Sequence, residues 1–295
     1  MNALKFNTEF DPRYGELVQV ADGLRRIVAP NPGPFTFKGT GTYVVGHGEV
    51  AVVDPGPMLP DHVDRLLEQL DKEVVSHILV THTHSDHSPA SPLLKARTGA
   101  PVLAFGPHAT PDGHGFESGT DRDFTPDFEL DDLEVIAGGN WELTALHTPG
   151  HCSNHLCFAW GDHDLILCGD QLMAWSTTVI LPPDGSLSAY LGSLKSLRSR
   201  PESVFWPTHG AEIRDPKSWI DQIISHREDR VTEVLRCLNE GATSLSQIRQ
   251  IIYTDISPSL YTGAELSILA SIEYLVQLGK VVQTEDGLFS PTKDS

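Results

Sequence analysis

SHILVTHTHSDH, residues 76–87, is the stretch on which the reading of this chain turns. SHILV is a short apolar run of the kind that forms a buried strand. Four side chains with ligand chemistry follow it within six residues: His82, His84, Asp86 and His87. His82 and His84 lie two apart, so on extended backbone both project to one side and can grip one ion. Asp86 and His87 come where the chain turns toward a helix, which aims them at a second position close by. Neutral imidazoles with carboxylates suit zinc, and also iron or manganese with less discrimination.

Three more candidates stand at strand ends, where a fold can deliver them to a common centre. HTPGHCSNH (147–155) offers His151 after a Pro-Gly turn, LILCGDQ (165–171) offers Asp170 after an apolar strand and a glycine, and FWPTHG (205–210) offers His209. Taken alone, His151 or His209 reads as an ordinary turn histidine; beside residues 81–87 the metal reading prevails. Around these motifs the first half reads as LVQVAD, LRRIVAP, TYVVG and EVAVVD, strands in hairpins at one edge of a sheet. A helix is predicted over 60–70, where Val63, Leu66, Leu67 and Leu70 recur at helical spacing, and another over 88–98 before the strand PVLAF. Residues 108–127 have neither period and read as a long surface loop. Strands resume with LEVIAG, WELTALHT, HLCFAW and DLILCG, then a helix over 187–197 and the strand SVFWP. Two sheets packed face to face between helical layers follow from this order.

After His209 the pattern changes. Residues 217–239 carry apolar side chains at helical spacing and end at Asn239-Glu240-Gly241. Thr243 or Ser244 caps a second helix, a third spans 264–278, and VVQTEDGLFS closes as a hairpin. Three helices and a hairpin are the layout of a winged helix, predicted from residue 217 onward.

Composition narrows the partners. The net charge is −19, with 40 acidic residues against 21 basic ones, and such a surface repels polyanions at long range. The tail holds seven Lys or Arg (217, 227, 230, 236, 249, 280, 293) against eleven Asp or Glu. The basic footprint of a nucleic-acid-binding domain is therefore missing, and a small-molecule substrate is expected. No apolar run approaches the roughly 18 residues a membrane span needs, and the first residues lack the apolar stretch of a secretory signal, so the cytoplasm is the expected location. Four cysteines (Cys152, Cys157, Cys168, Cys237) without zinc-finger spacing suit buried, reduced thiols. Oligomeric state is left open.

The chain resembles the metallo-β-lactamase superfamily through HTHSDH at 82–87, TPGH at 148–151, GD at 169–170 and THG at 208–210. The motifs stand in family order and at family-like distances. The resemblance implies an α/β fold, a four-layer αββα sandwich over residues 1–216, with a C-terminal winged-helix-like domain over 217–295 like that of a branch that includes an endoribonuclease. It also implies roles. His82, His84 and His151 would hold the first of two Zn2+ ions, Asp86, His87 and His209 the second, and Asp170 would bridge them. A hydroxide between the ions is then the nucleophile, with Asp86 placed to move its proton. Asp54, in VVDPGP, would orient a ligand from behind. The branch often has Asn in a Gly-Thr-Asn-Thr-Tyr turn where this chain has Gly41, which removes that substrate contact. Cys152 reads as a spectator thiol and His155 as a packing or supporting histidine, while His108 and His114 read as exposed loop histidines.

The functions weigh accordingly. A true β-lactamase is disfavoured because such enzymes are usually exported and several of their classes lack the bridging Asp. Flavodiiron relatives typically have Glu where His84 stands and carry a flavin domain. A single-iron persulfide dioxygenase fits less well than two metals, given the complete second set. The leading expectation is hydrolysis of a small ester, thioester or lactone, and the alternative is endoribonuclease cleavage of single-stranded RNA.

Overall fold

The computed structural model describes residues 4–109, 119–284 and 286–292. A first sheet of seven strands runs in sequence order: β1 (Val18–Ala21), β2 (Leu24–Val28), β3 (Gly41–Val45), β4 (Glu49–Val53), β5 (Val74–Leu79), β6 (Val102–Ala104) and β7 (Phe128–Glu129). Its first four strands are antiparallel, and β4 to β7 are parallel. The parallel pairs need crossovers, which are helices α1 (Pro60–Gln69) and α2 (Ser91–Thr98) and the segment before β7. A second sheet holds β8 (Val135–Gly138), β9 (Trp141–His147), β10 (Leu156–Trp160), β11 (Leu165–Gly169) and β12 (Val204–Pro207), with α3 (Leu187–Arg198) as the crossover between the parallel pair β11 and β12.

Alternation within each strand decides the layering, because successive side chains point to opposite faces. Tyr43, Val45, Ala51, Val53, Leu156, Phe158, Leu165 and Leu167 meet in the core between the sheets. Their neighbours Val44, Val50 and Val52 face α1 and α2, and Cys157, Ala159, Ile166 and Cys168 face α3 and the C-terminal helices. Both faces are covered, so these strands read as nearly unbroken apolar runs. Tyr43 and Trp141 also tie the sheets together with polar tips: Tyr43 Oη donates to Pro207 O at 2.6 Å and Trp141 Nε1 to Glu49 O at 3.1 Å. The result is the four-layer αββα sandwich.

The chain continues into α4 (Pro216–Asn239), α5 (Leu245–Ile252), α6 (Tyr261–Gln277) and the hairpin β13 (Val281–Gln283) and β14 (Phe289–Pro291). This is the winged helix. Ser244 begins α5 with a full capping box, its hydroxyl on Gln247 N and the Gln247 side chain on its own backbone. Its apolar faces merge with those of α3 and the second sheet in one cluster that includes Ile223, Val234, Ile248, Ile268 and Phe289.

Three elements differ from expectation. Helix α2 starts at Ser91 rather than 88, because residues 84–88 form a turn with His87 N on His84 O at 2.9 Å. Helix α6 starts at Tyr261 after a short 3-10 turn at Pro258–Leu260. The described part of the 108–127 loop is not a free surface segment: Ser85 N donates to Gly119 O at 2.6 Å and Asp121 N to Thr83 O at 2.7 Å. The extended backbone at 83–85 has polar groups that need partners, and residues 119–121 supply them while Phe124 is buried. All four cysteines are free and buried. Among the described residues, no helix is long and apolar enough to cross a membrane.

Phe158 is fully buried between the sheets. Phe158→Ala is expected to destabilise the protein by about 3–5 kcal/mol, read as a lower urea midpoint at unchanged m-value; a shift below about 1 kcal/mol would show that this core collapses around the gap.

Candidate metal centre

The seven sequence candidates come together at one end of the sandwich. Residues 82–87 follow β5, His151 follows β9, Asp170 follows β11 and His209 follows β12. Those strands all end on the same side, where main-chain bonds run between the sheets from Leu156 N to Thr81 O at 2.7 Å and from Gly41 N to Thr208 O at 2.9 Å, and within the second sheet from Thr208 N to Gly169 O at 3.1 Å. Gly150, at φ +139°, lets the TPGH turn approach α3 closely; a Cβ there would lie 2.3 Å from the Tyr190 backbone.

Among the described residues the donor atoms form three overlapping groups: His82, His84 and His151; His82, His87 and Asp170; Asp86, His87 and His209. In the first, His84 Nδ1 lies 2.9 Å from both His82 Nε2 and His151 Nε2. In the last, Asp86 Oδ2 lies 3.4 Å from His87 Nε2 and 3.2 Å from His209 Nε2. Asp170 stands between them, with Oδ2 at 3.7 Å from His151 and 3.6 Å from His87, and Oδ1 at 3.4 Å from His209.

The outer nitrogens of four imidazoles are fixed, and this decides which lone pairs point inward. His151 Nδ1 donates to Val179 O at 2.6 Å, His209 Nδ1 to Gly39 O at 3.1 Å, and His87 Nδ1 to Asp54 Oδ2 at 2.8 Å. Thr81 Oγ1 donates to Asp54 Oδ2 at 2.8 Å, which leaves its lone pairs to accept from His82 Nδ1 at 3.0 Å. Each of these rings therefore turns Nε2 toward the centre, where an ion can take its lone pair once any proton there has left. Asp54 also accepts from Thr81 N at 2.8 Å and Thr208 Oγ1 at 3.2 Å, and its own φ of +51° lies in a region that Asp tolerates better than most residues.

Electrostatics divides the centre in two. Burial, then the facing rings, pull His82 well below the ordinary histidine range and His84 down to about 3. Burial works against the proton on His87 and His209 as well, but Asp86 and Asp170 outweigh it, lifting His209 to about 10 and His87 well above its usual value. Burial would raise Asp86 and Asp170, yet the same two histidines hold both far below the carboxylate range. His87 Nε2 and Asp170 Oδ1 are buried without a hydrogen-bond partner, and three imidazole nitrogens converge on one point. A cation resolves both features, so this donor set fits divalent metal.

Several residues that serve the centre escaped the sequence reading. Thr40 Oγ1 donates to Asp86 Oδ2 at 3.1 Å, and Asn31 holds Thr40 through its Nδ2 at 2.9 Å and its Oδ1 at 2.9 Å. Only a fold could reveal that pair. Gly41 contributes no side chain, and a Cβ there would lie 2.9 Å from Thr208 O. His155 is a supporting histidine: its Nε2 accepts from Asp170 N at 3.2 Å and its Nδ1 faces Thr148 Oγ1 at 2.8 Å. Burial pushes the Cys152 thiol well up, and its sulfur stands 3.4 Å from Asn154 Oδ1, outside the donor groups. His108, expected at the surface, is instead half-buried on the wall of the cleft with Nδ1 at 3.4 Å from Thr83 Oγ1, drawn in by the docking of residues 119–121. His114 lies outside the described residues.

The chain belongs to the metallo-β-lactamase superfamily, whose profile matches residues 36–209, and a β-lactamase-associated winged helix domain matches residues 244–290. Similar sequences include the lactamase-like protein adaB of Aspergillus niger, 27% identical over 85% of this chain and 77% of that protein. The atrochrysone carboxyl ACP thioesterase nsrC of Aspergillus novofumigatus is 29% identical over 76% of this chain and 65% of that one. Among solved structures, a β-lactamase domain protein from Burkholderia ambifaria shares the fold at a TM-score of 0.80 and 20% identity, covering 96% of both chains. The protein is thus a hydrolase of metallo-β-lactamase fold, and divalent metal binding goes with that fold.

Asp54→Ala leaves Thr81 N and His87 Nδ1 without their acceptor. Divalent-metal affinity is expected to fall roughly 10- to 100-fold in competition with a chromogenic chelator; unchanged affinity removes Asp54 from the support of the centre.

Proposed function

We propose that this protein hydrolyses small acyl substrates, thioesters first and then esters and lactones, with two divalent ions, zinc when zinc is supplied. One observation carries the reading. The centre forms the floor of a cleft of about 400 Å³ whose walls include Phe35, Pro57, Met173, Val179 and Leu181, and no Lys or Arg lines it among the described residues. That volume and apolar lining suit a small ligand. A phosphodiester strand needs a basic track for successive phosphates, which neither this cleft nor the acidic tail offers. Thioesters come first in this reading, supported by the relatives named as thioesterases.

His82, His84 and His151 would hold the first ion, Asp86, His87 and His209 the second, with Asp170 reaching both. Bound there, such a pair supplies a nucleophilic oxygen at neutral pH and polarises the acyl oxygen. The chain's own residues do the rest. The apolar walls take the acyl group and exclude water, which strengthens every polar contact inside. Asp86, 20% exposed through its side chain and facing the cleft, would take the proton of the attacking water and pass it to a leaving alkoxide, or to solvent when the leaving group is a thiolate. Thr40 keeps the Asp86 carboxylate turned toward the centre.

The two donor sets should load with different pH dependence. His82 and His84, lowered by burial, are neutral at pH 7, so an ion enters between them without displacing a proton. His209, raised to about 10, and His87 carry protons that a second ion must release. Affinity for the second equivalent is therefore expected to fall by about tenfold per pH unit for each proton released as pH drops from 8 to 6, with the first equivalent nearly constant. Calorimetric titration of metal-free protein with zinc in buffers of different ionisation enthalpy checks this; a single equivalent at both pH values rejects the two-ion reading.

The substrate reading is tested by comparing kcat/KM for a thioester and lactone panel with that for a fluorogenic single-stranded RNA, using one metal-loaded preparation and Asp170→Ala as control. Thioesters are expected to lead, and Asp170→Ala to abolish turnover while the fold persists on its apolar cores. RNA cleavage that exceeds every acyl substrate and vanishes in the control puts an endoribonuclease in first place.

A further inference from the structure

Helix α4 begins after the superfamily match ends at residue 209 and stops before the winged-helix match starts at residue 244. Its buried stripe runs Trp219, Ile223, Arg227, Val231 and Val234, so a cation stands where helical spacing calls for an apolar side chain. Arg227 is 9% exposed and makes no ion pair among the described residues. A buried charge without a counter-ion is costly, and an apolar side chain of similar volume would serve stability better. Its guanidinium instead donates to the main-chain carbonyl of Thr178 and lies 5.7 Å from the centre of the Tyr190 ring.

Thr178 sits at a junction. Its hydroxyl donates to Asp170 O at 2.9 Å and contacts Gln171 O at 3.2 Å. The next carbonyl, Val179 O, accepts from His151 Nδ1 at 2.6 Å and so sets the rotation of that ring. The same helix holds the loop a second time, through Trp219 Nε1 on Met173 O at 2.9 Å. One helix thus grips the loop that carries Asp170 at one end and orients His151 at the other.

We propose that Arg227 is a positioning residue for the metal centre: by fixing the carbonyl of Thr178 it holds the 170–179 loop in the conformation that presents Asp170 and locks His151. The inference rests on the metal reading of the site, and its test does not depend on the substrate. Zinc-loaded wild type, Arg227→Met, Arg227→Lys and Arg230→Met are compared by the rate of zinc loss to a chromogenic chelator, by melting temperature, and by kcat and KM on the best acyl substrate. Arg230 is the control, since it pairs with Glu233 and packs on Tyr253 away from the loop.

Arg227→Met is expected to melt close to wild type, to lose zinc at least about tenfold faster, and to lower kcat more than it raises KM. Arg227→Lys should restore part of the retention, because an ammonium can donate to the same carbonyl, and Arg230→Met should match wild type. A folded Arg227→Met that retains zinc like wild type overturns the proposal. Should Arg227→Met fail to fold, Arg227→Lys and Thr178→Val decide it: faster zinc loss in both supports the coupling, and wild-type retention in both overturns it. Wild type that takes up no zinc defeats the metal reading itself, and this inference with it.

Discussion

Asp54 is a carboxylate almost wholly removed from water, and the rest of the centre hangs on it. It accepts from Thr81 and His87 on the segment after β5 and from Thr208 after β12, so it joins the ends of strands from both sheets. A buried anion is tolerated only where hydrogen bonds replace its hydration, and here four donors do so. Each of those bonds also constrains a neighbour. Thr81 passes the constraint to His82, and Thr208 is followed directly by His209. The site is therefore stiff at its base before any ion arrives.

That stiffness has an electrostatic counterpart. Three imidazoles face one another on one side, and two carboxylates face two imidazoles on the other. The first set is neutral because burial and the facing rings outweigh the pull of Asp86 and Asp170; the second keeps its protons because there the same two carboxylates outweigh burial. Neighbouring donors of similar chemistry thus behave as different ligands, through the placement of two acidic side chains.

Much of this was legible in the sequence, for identifiable reasons. Apolar runs such as TYVV and LILC marked buried strands without saying which face each side chain takes, and the spacing of His82, His84, Asp86 and His87 marked a cluster that distant turns then completed. What could not be read was anything carried by main-chain carbonyls or by hydroxyls far away in sequence: Gly39 O, Val179 O, Thr40 and Asn31 have no distinguishing pattern. The docking of residues 119–121 was hidden for the same reason, since unsatisfied backbone groups at 83–85 recruit a partner by position and not by residue type. Arg227 is different. Its place in the stripe between Ile223 and Val231 breaks the apolar spacing in plain view, and a charge at such a position is a signal that can be sought in other chains.

The merging of α4 with the second sheet bears on how such a protein can be rebuilt. Two profiles that match separate stretches of a chain invite the picture of interchangeable parts, joined by a spacer of no consequence. Here the supposed spacer contributes Trp219, Ile220 and Ile223 to the same apolar cluster as Leu191, Leu194 and Phe205, and it grips the loop beneath the cleft. A chimaera cut between residue 209 and Trp219 would separate Trp219 and Arg227 from the backbone they hold. A unit to be exchanged therefore keeps α4 together with the 170–181 loop.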